Sequence, residues 1–222
     1  LVRTKLHRQR RLLDYARGER PDARKPLCDA LATLDAIDAR LAATSGSDDE
    51  ATARLRGAEG AAARAYFGGL CALFAPALGF TGRNRRPPRD PVNACLSLAY
   101  TLLHFDAVRA AHVAGLDPLL GFYHRPAFGR ESLASDLIEA LRPQADAWVW
   151  EQFRSRALRE DQFTSDKGAC LLGKAGRERF YARWESFAGA PRRWLRVRCA
   201  RLARQLREEG KVFLVQSDEE GF

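Results

Sequence analysis

The segment that most constrains the fold is PVNACLSLAYTLLHFDAVRAAHV at residues 91–113, which is apolar on most of its helical circumference. Asp90 is a favourable N-cap, and Pro91 suits the first position of a helix. Gly115 and Pro118 mark the end of the segment. A helix that is apolar all round has to be covered by other elements. The sequence therefore predicts a buried central helix.

The remaining segments predict further helices and almost no strand. Their apolar residues recur at spacings of three and four, the pattern of an amphipathic helix. Residues 159–173 are the least regular, and Ala169–Leu172 is a candidate for a short strand. We therefore predict an all-α, multi-helix fold. The other predicted helices lie near residues 2–13, 27–44, 50–74, 132–141, 143–158, 175–187 and 191–208.

The pattern predicts one helical domain over residues 1–210 and a flexible acidic tail over residues 211–222. No apolar run reaches the roughly 18 residues of a membrane span, and the chain does not begin with a signal-peptide pattern. The five cysteines have no CxxC spacing. This spacing argues against a zinc ribbon or a disulfide framework and favours reduced thiols in a cytoplasmic protein.

The chain is strongly basic, and its positive charge comes mainly from arginine. Lysine and arginine total 37 against 28 acidic residues, a net charge of +9 at pH 7, and only five of the 37 are lysines. The planar guanidinium of arginine suits phosphate oxygens. The composition therefore favours a nucleic-acid partner. The alternative explanation is a high-GC genome, which enriches arginine and alanine codons.

A short basic loop, RNRRPPRD, is the strongest candidate for phosphate contact. It places Arg83, Arg85, Arg86 and Arg89 within seven residues that two prolines stiffen. Four guanidinium groups in a rigid loop would contact several phosphates and make binding depend on salt. The simpler interpretation is an exposed loop that only aids solubility.

Among the four histidines, His124 is the functional candidate. His7 lies in a basic helix and is predicted to be solvated. His104 and His112 lie on the central helix and are predicted to be core residues. His124 instead lies in a loop between two predicted helices, and binding and catalytic residues concentrate on such loops.

Two acids follow this histidine on the helix predicted at residues 132–141. Asp136 and Glu139 are three residues apart, on the side opposite the apolar face. Adjacent like charges are unfavourable unless a cation offsets them. The helix therefore carries either a solvated acidic face or half of a metal site.

Glu59 is a further candidate because of its neighbours Gly57 and Gly60. Two glycines within a helix are unfavourable, so they predict either a bend or the close approach of another backbone. A set of Glu59, His124 and Glu139, with Asp136 nearby, offers mostly oxygen ligands and one imidazole. Such a set suits Mg²⁺ or Mn²⁺ better than zinc.

Four segments resemble the conserved blocks of the CRISPR adaptation integrase family, in the same order. They are RGAEGAAARAYF, RNRRPPRDPVNACLSLAYTLL, GLDPLLGFYH and GRESLASDLIEALRP. Members of this family are metal-dependent DNA nucleases that insert new spacers into CRISPR arrays. The resemblance extends from about residue 1 to about residue 187. It implies that this chain is the helical catalytic lobe, without the β-rich N-terminal domain of the family.

The resemblance also implies roles for individual residues. The ligands of Mg²⁺ or Mn²⁺ would be Glu59, His124 and Glu139, and Asp136 would be a supporting acid that also belongs to the catalytic set. The implied reaction is attack of the 3′-hydroxyl of a prespacer DNA on a phosphodiester at the end of a repeat.

The implied partners are prespacer DNA and the CRISPR leader–repeat, a second copy of the chain, and a small ferredoxin-like adaptation protein. A reverse transcriptase is fused to or associated with some members of the family. Arg56 and Arg130, in the first and last of the four segments, join the loop arginines as predicted DNA contacts.

Two other functions fit the same sequence. One is a related transposon-borne integrase, which would prefer a transposon end to a leader–repeat junction. The other is a DNA-binding or scaffolding module with an inactive site. A separation of more than about 8 Å between Glu59, His124 and Glu139 would favour this second alternative, because a single metal needs all its ligands at about 2.0–2.6 Å.

Overall fold

The computed structural model describes residues 1–42, 49–84, 86–125 and 127–219. Within these ranges the chain is mostly helical, with one small antiparallel hairpin, so the predicted helical class is confirmed and the hairpin is an addition to it. No helix in these ranges is both long enough and apolar enough to cross a membrane. The elements are α1 (Val2–Glu19), α2 (Arg24–Ala42), α3 (Asp49–Cys71), α4 (Pro91–Val113), α5 (Ser132–Glu139), α6 (Arg142–Arg154), β1 (Phe163–Asp166), β2 (Ala169–Leu172) and α7 (Lys174–Glu219).

The central helix begins as predicted, but its second half is not fully buried. The Asp90 carboxylate accepts a hydrogen bond from the Asn93 backbone N–H at 2.8 Å, which is the expected N-cap contact. Farther along α4, Phe105 is 64% exposed and Val113 is 78% exposed. His112 is also exposed, so its prediction as a core residue is wrong. An almost uniformly apolar sequence thus overstates how much of α4 is covered.

The C-terminal part of the chain forms one helix where the sequence predicted two. Helix α7 runs from Lys174 to Glu219 and contains Pro191. Proline lacks an N–H and usually breaks or kinks a helix, which is why the sequence predicted a boundary there. The helix also continues past residue 208, near which the sequence predicted its end. The flexibility of residues 211–222 stays a prediction, and residues 220–222 lie outside the described part of the chain.

The packing divides the chain into two compact units, each built from two segments. The first unit is Leu1–Thr101 with Glu139–Trp184, and the second is Leu102–Ile138 with Glu185–Phe222. The unit boundaries fall within α4 and α7 and near the end of α5. No linker separates the units in sequence, because continuous helices run from one unit into the other. This is why composition alone predicted one domain.

In the first unit, α1, α2 and α3 pack against one another, and α6 packs against α1. Gly69 on α3 lies at a close contact with α1 and α2. A Cβ atom added there would lie 2.8 Å from Ala30 Cβ and 3.3 Å from Leu13 Cδ1. Gly57 and Gly60 predicted either a bend or the close approach of another backbone. The second alternative is wrong, because an added Cβ meets nothing within 4 Å at Gly57 and only an arginine side-chain tip at 3.9 Å at Gly60.

A buried carboxylate fixes α6 in the same unit. Asp146 is 1% exposed and accepts hydrogen bonds from the hydroxyls of Tyr66, at 2.7 Å, and Tyr100. Burial raises the pKa of Asp146 to about 6, although the two hydroxyls and the nearby Arg142 and Arg83 guanidinium groups act in the opposite direction. The desolvation of the carboxylate therefore outweighs the polar contacts that compensate for it.

We expect Gly69→Ala to lower the free energy of unfolding by about 1–3 kcal/mol, because the added methyl group overpacks the contact between α2 and α3. Gly57→Ala is the matched control. It should raise the free energy of unfolding by roughly 0.5–1 kcal/mol, because the new methyl meets open space and alanine favours a helix. Urea denaturation measures both values, and equal effects of the two substitutions would contradict this packing.

The stability of the chain should also depend on pH through Asp146. The folded chain binds this proton more tightly than the unfolded chain, where the pKa of aspartate is about 3.9. The contribution of Asp146 to the free energy of unfolding is therefore full below about pH 4 and declines as the pH rises to about 6. Asp146→Asn removes this dependence, whereas Asp166→Asn, on the exposed hairpin, should not. Urea denaturation from pH 4 to pH 8 measures the difference. The free energy of unfolding of the unmodified chain should fall relative to that of Asp146→Asn between pH 4 and about pH 6, and a difference that stays constant or rises would refute the assignment.

Candidate metal centre

Helix α5 carries two acids that are buried rather than solvated. Asp136 is fully buried and Glu139 is 4% exposed. The apolar residues Leu133, Leu137 and Ile138 on the same helix are buried as well. The interpretation of a solvated acidic face is therefore wrong. A buried carboxylate needs a cation or several hydrogen-bond donors, and the two acids meet this need in different ways.

In the first unit, Glu139 and Glu59 converge on one ammonium group. Lys5 Nζ on α1 donates a hydrogen bond to Glu59 Oε1 at 2.7 Å and lies 2.6 Å from Glu139 Oε2. The Lys5 and Glu59 side chains are 14% and 22% exposed. Two carboxylates that are eighty residues apart in sequence thus meet at one ammonium group. Lys5 lies on α1, Glu59 on α3, and Glu139 is the last residue of α5.

The two oxygens of Glu139 have unequal surroundings. Oε1 lies 3.1 Å from Nη2 of Arg142 on α6. Oε2 is buried and faces the Lys5 ammonium, but no donor is aligned with it for a hydrogen bond. A buried carboxylate oxygen without an aligned donor retains lone-pair capacity for a metal ion.

In the second unit, His124 and Asp136 form a pair. His124 Nδ1 lies 2.5 Å from Asp136 Oδ1, and the His124 backbone N–H donates to the same oxygen at 3.0 Å. The backbone N–H groups of Phe122 and Tyr123 donate to Oδ2 at 2.8 and 2.9 Å. One carboxylate therefore fixes both the imidazole and the loop that carries it.

These contacts determine the charge of Asp136 and the tautomer of His124. Burial alone would raise the pKa of Asp136, but the hydrogen bonds from His124 and from the three backbone N–H groups outweigh it and hold the pKa below its usual range. An ionised Asp136 can only accept a hydrogen bond, so Nδ1 of His124 carries the proton, and in the neutral imidazole the lone pair then lies on Nε2. A histidine whose other nitrogen is bonded to a carboxylate is the usual form of a metal ligand.

Gly121 allows this loop to approach α5. A Cβ atom at residue 121 would lie 2.7 Å from Ser132 Cβ and 2.9 Å from Asp136 Oδ2, too close for any other residue. The Ser132 hydroxyl also donates to the Arg125 carbonyl at 3.1 Å. The glycine three residues before His124 therefore has a specific steric cause.

The predicted ligands fit a divalent cation in part. The structure brings Glu59 and Glu139 together around a positive charge, and it pairs His124 with Asp136. Among the residues that the structure describes, no three histidine, cysteine or acidic side chains form one group able to hold a metal ion. The donor types, carboxylate oxygens and an imidazole nitrogen, are those that suit Mg²⁺ or Mn²⁺.

The predicted DNA-binding arginines fall into two groups. Arg83 is half-buried and committed to the protein, because its guanidinium donates to Asn93 Oδ1 at 2.7 Å and Ser97 Oγ at 3.0 Å. It also lies over the Tyr100 ring, 5.4 Å from the centroid. Arg83 therefore stabilises the start of α4.

The other predicted arginines remain available to a polyanion. Arg86 and Arg89 are exposed on the basic loop, Arg56 is exposed on α3, and Arg130 is exposed before α5. Arg85 lies outside the residues that the structure describes. Their contact with DNA stays a prediction.

Sequence reasoning missed Lys5 and Arg142, the two cations at Glu139. Lys5 lies in an arginine-rich first helix, where a single basic residue does not stand out. One signal was present, because lysine is rare in this chain: only five of its 37 basic residues are lysines. Arg142 had no comparable signal, since an arginine three residues after a glutamate is a common surface pair on helices.

The chain is similar to a family of known proteins. Residues 1–186 match the family described as CRISPR associated protein Cas1. CRISPR-associated endonuclease Cas1 1 of Thermodesulfovibrio yellowstonii is 44% identical over 160 residues, which cover 71% of this chain and 50% of the relative. CRISPR-associated endonuclease Cas1 2 of Rhodospirillum rubrum is 44% identical over 167 residues, with coverage of 72% and 48%. The chain thus spans about half the length of these curated relatives.

A solved structure supports the same assignment. A partial Cas6-RT-Cas1–Cas2 complex contains a chain that is 26% identical and superposes with a TM-score of 0.79, over 94% of this chain and 63% of that chain. The family match covers most of the sequence and includes the segments that carry Glu59, His124, Asp136 and Glu139. This chain therefore belongs to the Cas1 family of CRISPR-associated proteins.

Proposed function

We propose that this chain is the catalytic part of a metal-dependent DNA integrase that inserts prespacer DNA into a CRISPR array. In this reaction the 3′-hydroxyl of the prespacer attacks a phosphodiester at the end of a repeat. The observation that carries the proposal is the convergence of two largely buried carboxylates, Glu59 and Glu139, on one cationic centre. Burial of adjacent acids is unfavourable without a cation, and a divalent metal ion would compensate both carboxylates at once.

The side chains have distinct tasks in this proposal. Glu59 and Glu139 provide anionic oxygens, and His124 provides Nε2, as ligands of Mg²⁺ or Mn²⁺. Asp136 keeps the lone pair of His124 on Nε2 and holds the loop in place. A bound cation of this kind supplies a Lewis acid that polarises a phosphoryl oxygen and lowers the pKa of the attacking hydroxyl.

The basic surface residues would bind the DNA backbone. Arg56, Arg86, Arg89 and Arg130 are exposed and can each contact a phosphate. Their binding would weaken as salt rises, because each neutralised phosphate releases condensed counterions. Arg85 is a further proposed contact from the same loop.

The proposed partners follow from the family and from the named neighbour. They are the prespacer and leader–repeat DNA, a second copy of this chain, a Cas2-type adaptation protein, and a reverse transcriptase such as the one named in the partial Cas6-RT-Cas1–Cas2 complex.

We expect His124→Ala to lower Mn²⁺-dependent cleavage and strand transfer on a branched DNA substrate by at least about 100-fold, because a metal ligand is lost. The matched control is His112→Ala, which removes an exposed histidine at the end of α4 and should leave activity unchanged. Circular dichroism should show that both variants keep their helical content. Full activity of His124→Ala would refute the proposed site.

Asp136→Asn should weaken Mn²⁺ binding by about 10- to 100-fold, because the amide no longer fixes the tautomer of His124 and its NH₂ group faces backbone donors. Calorimetric titration measures the affinity, and NMR of the imidazole nitrogens reports the tautomer. Asp117→Asn, which alters an exposed acid in the preceding turn, is the control. An unchanged tautomer and affinity in Asp136→Asn would contradict the supporting role.

A further inference from the structure

Lys5 is the cation on which the two proposed glutamate ligands converge, and it has no assigned role. Its stem is largely buried, with 14% of the side chain exposed. Its ammonium lies 2.7 Å from Glu59 Oε1 and 2.6 Å from Glu139 Oε2. These distances place the ammonium where a cation shared by the two carboxylates would lie. The inference drawn from this contact rests on the proposed function.

The contact of Lys5 with the two carboxylates is uneven. The ammonium donates an aligned hydrogen bond to Glu59 but faces Glu139 Oε2 without one. Lys5 therefore neutralises charge at Glu139, but the lone pairs of the buried Oε2 accept no aligned hydrogen bond. A metal ion has no such directional limit, because it accepts lone pairs from both carboxylates at once.

We propose that Lys5 is a positioning residue that takes the place of the divalent cation in the metal-free protein and is displaced when the cation binds. It holds Glu59 and Glu139 together against their mutual repulsion until the metal arrives. The same contact makes metal binding competitive, because the tethered ammonium is always present at high effective concentration.

The charges around Glu59 and Glu139 determine whether removing the charge of Lys5 strengthens or weakens metal binding. Two carboxylates carry a charge of −2, which Lys5 and Arg142 offset through contacts of 2.6 and 3.1 Å with Glu139. Removing the charge of Lys5 makes the pair more negative and leaves no ammonium to displace. Both changes favour a divalent cation and disfavour the metal-free fold.

The lysine side chain is suited to this exchange. A primary ammonium on a flexible four-carbon stem can swing away while its methylene groups remain in place. The carboxylates would then pass from the ammonium to the metal without a change in the backbone of α1, α3 or α5. An arginine fork at this position would be larger and would hold its partners in a fixed plane.

The test is a calorimetric titration of Mn²⁺ into the metal-free chain and its variants at constant pH and ionic strength. Lys5→Met keeps the apolar stem and removes the charge, and Lys5→Gln removes the charge but keeps a hydrogen-bond donor. Both should bind Mn²⁺ at least about tenfold more tightly than the unmodified chain, while the metal-free variants melt at a lower temperature. Lys25→Met is the matched control, because Lys25 is 87% exposed and pairs only weakly with Asp29 at 3.4 Å.

The outcomes separate this inference from the proposed function. Mn²⁺ affinity that is unchanged or reduced in both Lys5→Met and Lys5→Gln overturns the displacement of Lys5 and leaves the metal site intact. Glu139→Gln belongs in the same titration, and an unchanged affinity in this variant overturns the ligand assignment. If neither the unmodified chain nor the Lys5 variants bind Mn²⁺, the proposed metal site and the displacement of Lys5 are both overturned. Lys5 is then only a structural partner of Glu59 and Glu139.

Discussion

The burial of acidic side chains beside one another is the constraint on which the site depends. Glu139 is almost fully buried, and its neighbour Glu59 is only partly exposed. A carboxylate removed from water is costly unless a cation or several donors compensate. The ammonium of Lys5 provides that compensation by contacting both acids. Helix α1 is therefore part of the site, although its sequence looks like an ordinary basic helix.

The burial of the second carboxylate, Asp136, is compensated mainly by backbone donors. Asp136 is fully buried and accepts three backbone N–H groups and the imidazole of His124. The loop that carries His124 is thereby tied to α5, and Gly121 supplies the space for its approach. The two acids of α5 thus differ in their partners: Glu139 lies beside the side-chain cations of Lys5 and Arg142, whereas Asp136 is bonded mainly by backbone N–H groups.

Much of the fold could be predicted because the signals are local. Asp90 and Pro91 cap a helix by their own chemistry, and Ala169–Leu172 forms a strand as the break in helical periodicity indicated. The errors have non-local causes. Pro191 indicated a break in α7, but the helix continues through it. Gly57 and Gly60 predicted a bend or a close contact, and the close contact occurs instead at Gly69, because which face of α3 meets α2 depends on how the two helices pack.

The sequence by itself determined the helical class, the family, and the identity of Glu59, His124, Asp136 and Glu139 as the candidate set, because residue types and their spacing within blocks are read directly. Only the tertiary structure decided which of these residues meet and what compensates their charge. The contacts of Lys5 with Glu59 and Glu139 join residues that are 54 and 134 positions apart. No local pattern encodes such a contact, since it arises from the packing of α1 against α3 and from the position at which α5 ends.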